Sequence, residues 1–192
     1  MGNPSLIRNA LSVLGLCVFF AGCASHNAQG VAYDPANDAR IRVYFGTDTH
    51  FYFNTSCEPK KHALSFANRG MWVAKPRMLN LANTTIGMPV PEDAYRYYDE
   101  YVIKANEPLT ITLDTGGTSQ TGGVVFSTPR EHAAGSFVPQ AGKDYEAFAV
   151  HSSGYLRLNV RRLIVTGDHV GTEPVTVRAA RECTDIVESP AG

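Results

Sequence analysis

The chain has 192 residues, 44% of them hydrophobic and 18% charged, with 17 Lys and Arg against 18 Asp and Glu for a net charge of -1. So even a balance argues against electrostatic binding of nucleic acid, which needs a basic face. The length suits one domain with a core of its own.

Taken in chain order, residues 1–8 are polar and carry one positive charge, Arg8. Residues 10–20, "ALSVLGLCVFF", are almost wholly apolar, and small residues follow. Positive start, short apolar centre and small-residue stop form an export signal, too short for the ~20 residues of a membrane span. The stop itself, Phe20-Ala21-Gly22-Cys23, resembles the lipobox of bacterial lipoproteins. That resemblance implies a diacylglyceryl thioether on Cys23, cleavage just before it and acylation of the new amine. Two or more acyl chains give a stable anchor where one gives a marginal one. Ala24, in the position where Asp retains such proteins in the inner membrane, implies release to the outer membrane. The expected division is therefore a signal peptide at 1–22, a flexible tether at 23–38 and a domain at 39–192. A coil of the tether's length reaches roughly 20 Å.

Period-two alternation begins with "ARIRVYFG", which places Ile41, Val43 and Phe45 on one face and Arg40, Arg42 and Tyr44 on the other. Half-buried strands show this pattern. "GTDT" predicts a turn, "HFYFN" a second strand and "MWVA" a short third one ended by Pro76. Residues 76–94 hold Pro76, Pro89 and Pro91 and no period, which predicts a long loop, functional or poorly ordered. "YRYYDEYVIKA" and "PLTITLD" read as strands, "TGGTSQTGG" as a connector, "VVFST" as a short strand and "PREHAAG" as a break. "SFVP" and "YEAFAVHS", joined by "QAGKD", predict a strand pair. "YLRLNVRRLIVT" alternates Leu156, Leu158 and Val160 against Arg157, Asn159 and Arg161. "VTVRAA" follows Pro174. Only "PEDAYRYYDEY" could form a helical turn or two. The whole predicts an all-β fold, an antiparallel β-sandwich of about eight or nine strands, preceded by the cleaved signal helix and tether.

Of four cysteines, Cys17 leaves with the signal and Cys23 carries lipid. Cys57 and Cys183 remain, and in an oxidising compartment an even pair predicts a disulfide. A metal site of Cys57 with His50 and His62 is the alternative, but the close-spaced ligand pairs of zinc sites are absent.

The runs "ARIRVY", "YVIKANEPLTITL" and "FVPQAGKDYEAFAV" resemble small bacterial lipoproteins of unknown function that carry a transthyretin- or immunoglobulin-like β-sandwich. The likeness is one of strands and turns, with "PQAGKDY", residues 139–145, its best match. It implies a fold and no catalytic residues.

Direct signs of chemistry are few. No G-x-S-x-G elbow is present, and "TGGTSQTGG" lacks the Lys and following helix of a phosphate loop. His26, His50, His62, His132, His151 and His169 stand at no ligand spacing; a metal-binding periplasmic sandwich is a minor reading. Glu92, Asp93, Asp99 and Glu100 predict a solvated face. Neither a catalytic residue, a cofactor nor a metal ligand is assigned. Tyr95, Tyr97, Tyr98 and Tyr101 are the candidate surface for a ligand or partner. On a strand, Tyr98 and Tyr101 fall on opposite faces, so some of the four pack inside. The expectation is a non-enzymatic lipoprotein held at the outer membrane through its lipid, with an envelope protein as partner. A glycan- or peptidoglycan-binding module is the alternative.

Overall fold

In a computed structural model, residues 32–60, 70–74 and 82–184 are described. The expected export signal, the lipobox-like stretch with Cys23, most of the expected tether, His26 and His62 lie outside them. Among the described residues, ten strands form two five-stranded sheets, a β-sandwich with no helix. Sheet one runs β4-β1-β7-β8-β9, from β1 (Asp38–Tyr44), β4 (Tyr98–Lys104), β7 (Asp144–Ser152), β8 (Tyr155–Thr166) and β9 (His169–Val175). Sheet two runs β10-β6-β5-β2-β3, from β2 (Asp48–Phe53), β3 (Met71–Val73), β5 (Leu109–Thr121), β6 (Val124–Phe137) and β10 (Arg178–Ala179).

The alternation read from β1 positions the core. Ala39, Ile41 and Val43 point inward and meet Phe51, Ile111 and Leu113 of sheet two, with Tyr101, Tyr145 and Val160 closing around them. All pairings between these strands are antiparallel except β1 with β7, where Ile41 lies beside Tyr145 in a parallel register.

Three segments differ from the reading of the sequence. The strand expected after Pro174 is instead β9, which runs through Pro174 and ends at Val175, Pro174 being tolerated because β9 is an edge strand; of "VTVRAA" beyond it only the two residues of β10 are strand. "SFVP" and "YEAFAVHS" are not a hairpin: β6 belongs to sheet two and β7 to sheet one. The turn between them climbs from one layer to the other. It is held where Gly142 donates to the Asp38 carbonyl and Gln140 donates its N–H to Tyr145 Oη, while the Tyr145 ring packs 5.2 Å from Phe137. Layer crossing is what makes the parallel β1–β7 pair available.

The third difference is larger. "TGGTSQTGG" is not a loose connector and "PREHAAG" is not a break; both lie within one long β5–β6 hairpin. Gly122 (φ 58°) and Gly123 (φ 82°) are its two central turn residues, the conformation of a type I′ turn. Pro129 is accommodated at a bulge: Thr115 faces Glu131 and Gly117 faces Thr128, so Pro129 and Arg130 together oppose Gly116. A Cβ on Gly116 would stand 1.9 Å from the Pro129 carbonyl oxygen, so no other residue allows this approach. The bulge adds local twist. β2 stops at Asp48 opposite Asp114, and residues 124–130 are all exposed. The distal hairpin is thus an arm beyond the sandwich. β1 begins at Asp38 opposite Lys104, where β4 turns into β5, so the chain before β1 enters at the end opposite the arm.

Candidate interaction site

Arg40, Arg42 and Tyr44, which the alternation puts on the outer face of β1, are not solvated. Residues 82–97 return across sheet one as a strap. Glu100 Oε2 accepts the N–H groups of Ile86 (2.7 Å) and Met88 (3.2 Å). Arg42 Nη2 donates to the carbonyls of Met88 and Pro89, and Arg40 Nη1 donates to that of Gly87. Thr84 donates to Asp99. Arg161 closes the far end with two bonds to Asp93, at 2.6 and 2.9 Å.

Under the strap lies a fully buried charge cluster. Arg42 is 0% exposed, Glu100 1% and Glu146 0%. Arg42 gives Nε and Nη2 to Glu100 Oε1 and Nη1 to Glu146 Oε1 (2.7 Å), with its guanidinium 4.4 Å above the Tyr98 ring. Tyr44 Oη donates to Glu146 Oε1, and Arg161 Nε donates to Glu146 Oε2. Burial first, then the hydrogen bond and charge of Glu146, raise the Tyr44 pKa, so the phenol stays protonated. A cluster of this kind in a cleft would suggest chemistry. Here every oxygen of Glu100 and Glu146 already accepts a hydrogen bond from the protein. The carboxylates are committed to holding the strap, and the cluster acts as a clasp. Asp99 and Glu100, read as part of a solvated face, are buried at 2% and 1%; the strap covers Glu100, while Asp99 lies on the face of Tyr101, whose Oη donates to it, and accepts the Thr84 N–H at the sheet edge.

The four tyrosines do not make one platform. Tyr101 is in the core against Phe51, its Oη accepting the Ala74 N–H. Tyr98 lies on the opposite face beneath Arg42 and edge-on to Tyr44. Tyr97 is half-buried beside Arg96. Tyr95 alone shows most of its ring, 61% exposed, with its edge against Tyr44 at 5.0 Å.

Cys57 and Cys183 are joined in a disulfide across 126 residues, with Cα atoms 5.0 Å apart. It pins residues 55–58 over the outer face of sheet two, where Glu58 exchanges backbone bonds with Arg181 and Cys183. His132 adds a side-chain fastening, bridging Asp114 (2.7 Å) and Glu58 (2.9 Å). An open cavity of about 710 Å³ lies beside it, lined by Lys60, Ala134, Ala180 and Glu182 among others. His151 pairs with Glu131, and His50 stacks on Trp72. Among the described residues no group of three or more His, Cys, Asp or Glu could hold a metal ion.

Burial disfavours the charged His132 ring, but the Asp114 hydrogen bond and the Glu58 charge outweigh it and raise its pKa. A raised folded-state pKa stabilises below the unfolded value of about 6.5, and the contribution is lost as pH rises through the folded value. His132→Gln should therefore lower stability by ~0.5 kcal/mol in mild acid, a size discounted for solvent screening of this half-exposed pair, and by nothing in mild alkali. Urea midpoints of both proteins across that range check this; a difference that grew with pH would be the wrong sign.

The surface that sequence reading missed is the arm tip. Val124, Val125 and Phe126 are 54%, 60% and 56% exposed, and no charged residue occurs from Thr115 to Pro129. The available signal was the Gly-Gly pair between Thr121 and Val124, a two-residue hairpin turn. No protein-family model, no curated protein and no solved structure matches the chain.

Proposed function

We propose that the chain is a non-enzymatic binding domain of the bacterial envelope, anchored in the outer membrane through lipid on Cys23, that presents its β5–β6 arm to another protein. The lipobox-like Phe20-Ala21-Gly22-Cys23 and Ala24 support the anchor. The observation that carries the binding reading is the arm tip: three adjacent large apolar residues, no charged residue in the flanking sequence from Thr115 to Pro129, and a position at the far end from the tether. Scattered single apolar residues are ordinary on a surface, whereas a contiguous projecting group marks a contact site. The glycan alternative would rest on Tyr95 with part of Tyr97, since Tyr98 and Tyr101 are buried. It is the weaker reading.

Cys23→Ser should move the protein from the membrane fraction to the soluble fraction. A photo-reactive residue in place of Phe126 should capture a protein in intact cells, while one in place of Tyr95 should not. Retention of Cys23→Ser as an integral membrane protein would refute the anchor. Recovery of muropeptides from position 95, with nothing from position 126, would transfer the reading to glycan binding.

A further inference from the structure

We infer that the arm binds its partner by strand addition, the partner laying an extended, uncharged segment along the free edge of β6. This rests on the reading of the arm as the binding element and goes on to assign the chemistry of recognition.

The edge is open for a structural reason. β10 pairs with β6 only at Ser136 and Gly135, and Ala180 then donates to the Ala134 carbonyl. Beyond that point the chain leaves β6, because Arg181 and Cys183 bond Glu58 and the disulfide draws Cys183 to Cys57. Among the described residues none pairs with β6 from Val124 to Ala133 on the side away from β5. Natural edges are blunted by proline, bulges and charge. On β6 those devices are concentrated at the bulge with Pro129, followed by Arg130, Glu131 and His132. The segment from Val124 to Thr128 has none of them.

The turn identifies the groups on offer. A two-residue type I′ turn closes on a hydrogen-bonded pair, here Thr121 with Val124. Antiparallel pairs alternate between bonded and non-bonded. Val124, Phe126 and Thr128 therefore bond into β5, and Val125 and Ser127 direct N–H and C=O to the open edge. Alternate side chains lie on opposite faces, so Val124 and Phe126 present one apolar face and Val125 the other.

These features select the occupant. A bilayer surrounds both faces of an inserted tip but leaves open backbone groups unsatisfied, which hydrocarbon does not tolerate. A second copy meeting tip to tip would bring only three apolar residues from each side, far short of the ~800 Å² per partner of a stable interface. A different protein can pair the edge with its own backbone and enclose both faces in pockets, the pattern of strand-addition recognition. The absence of charge along the edge from Val124 to Thr128 matches an uncharged counterpart.

The test begins with amide exchange in the purified protein. Val125 and Ser127 should exchange about tenfold or more faster than Val124 and Phe126; equal protection would overturn the assignment of the edge. In cells, Val125→Pro and Ser127→Pro remove outward N–H groups and leave the bonds to β5 in place. Each should cut protein capture by a photo-reactive residue at position 126 by about tenfold, with the melting temperature unchanged. Capture that persists in both proline variants overturns strand addition and leaves the protein-partner reading standing. Capture of lipid, or of nothing, overturns both. Capture of a second copy of this chain overturns the choice of partner.

Discussion

Arg42→Ala is expected to lower the unfolding free energy by about 3–5 kcal/mol, the cost of breaking a buried ion pair by removing one partner. Arg42 touches both buried carboxylates, with Glu100 at 2.6 Å and Glu146 at 2.7 Å, and it also holds the strap carbonyls of Met88 and Pro89. Its loss takes from Glu100 the cation that neutralises it and leaves Glu146 to Arg161. For a domain of this size the corresponding fall in melting temperature is roughly 10 °C. The matched control is Arg42→Met with Glu100→Gln and Glu146→Gln, which removes the charges together. Replacing a whole buried charge group is often neutral, so the triple variant should be more stable than Arg42→Ala. Urea unfolding decides it. A loss below ~1 kcal/mol for Arg42→Ala, the range of exposed pairs, would mean that water reaches the cluster and the strap is not clasped.

Loss of the disulfide, by Cys57→Ser with Cys183→Ser or by reduction, is expected to cost about 2–5 kcal/mol. The loop it closes spans 126 residues, for which the chain-entropy model gives roughly 5 kcal/mol, before any enthalpic offset. A local effect should accompany the global one. The bond holds residues 55–58 across sheet two and keeps the C-terminal chain beside Glu58. Without it, the amides of Glu58, Ala180 and position 183 should exchange well before the core amides of Ile41 and Ile111. Equilibrium unfolding and exchange, with and without reductant, check both. A change under ~1 kcal/mol with unaltered exchange would show that the side-chain and backbone bonds of Glu58 hold the crossing by themselves.

The arm and the clasp differ in how far the sequence reveals them. For β1 and β8 the alternating residues are enough, because a strand with one face in an apolar core carries apolar side chains at every second position. The arm buries neither face, so it leaves no alternation, and its Gly, Ser and Thr residues read as a loop. Pro129 strengthens that misreading, although a bulge opposite Gly116 accommodates it. The tyrosines are half legible. Their spacing puts Tyr98 and Tyr101 on opposite faces, as found, but cannot show that Arg42 and the strap cover the outer one.

From the sequence alone came the all-β class, the inward residues of the main strands, the pairing of Cys57 with Cys183 and the proposed anchor at Cys23. Each is written in neighbouring residues or, for the cysteines, in there being one partner left. Three things were decided only by the tertiary structure: the layer to which β7 belongs, the fate of the outer face of sheet one, and the open edge of β6. Arg42 lies 58 residues from Glu100 and 104 from Glu146, and the disulfide that turns the C-terminal chain off β6 spans 126. Alternation records which way a side chain points from its own sheet. Whether water or another segment waits there depends on how distant loops return, and no local period carries that information.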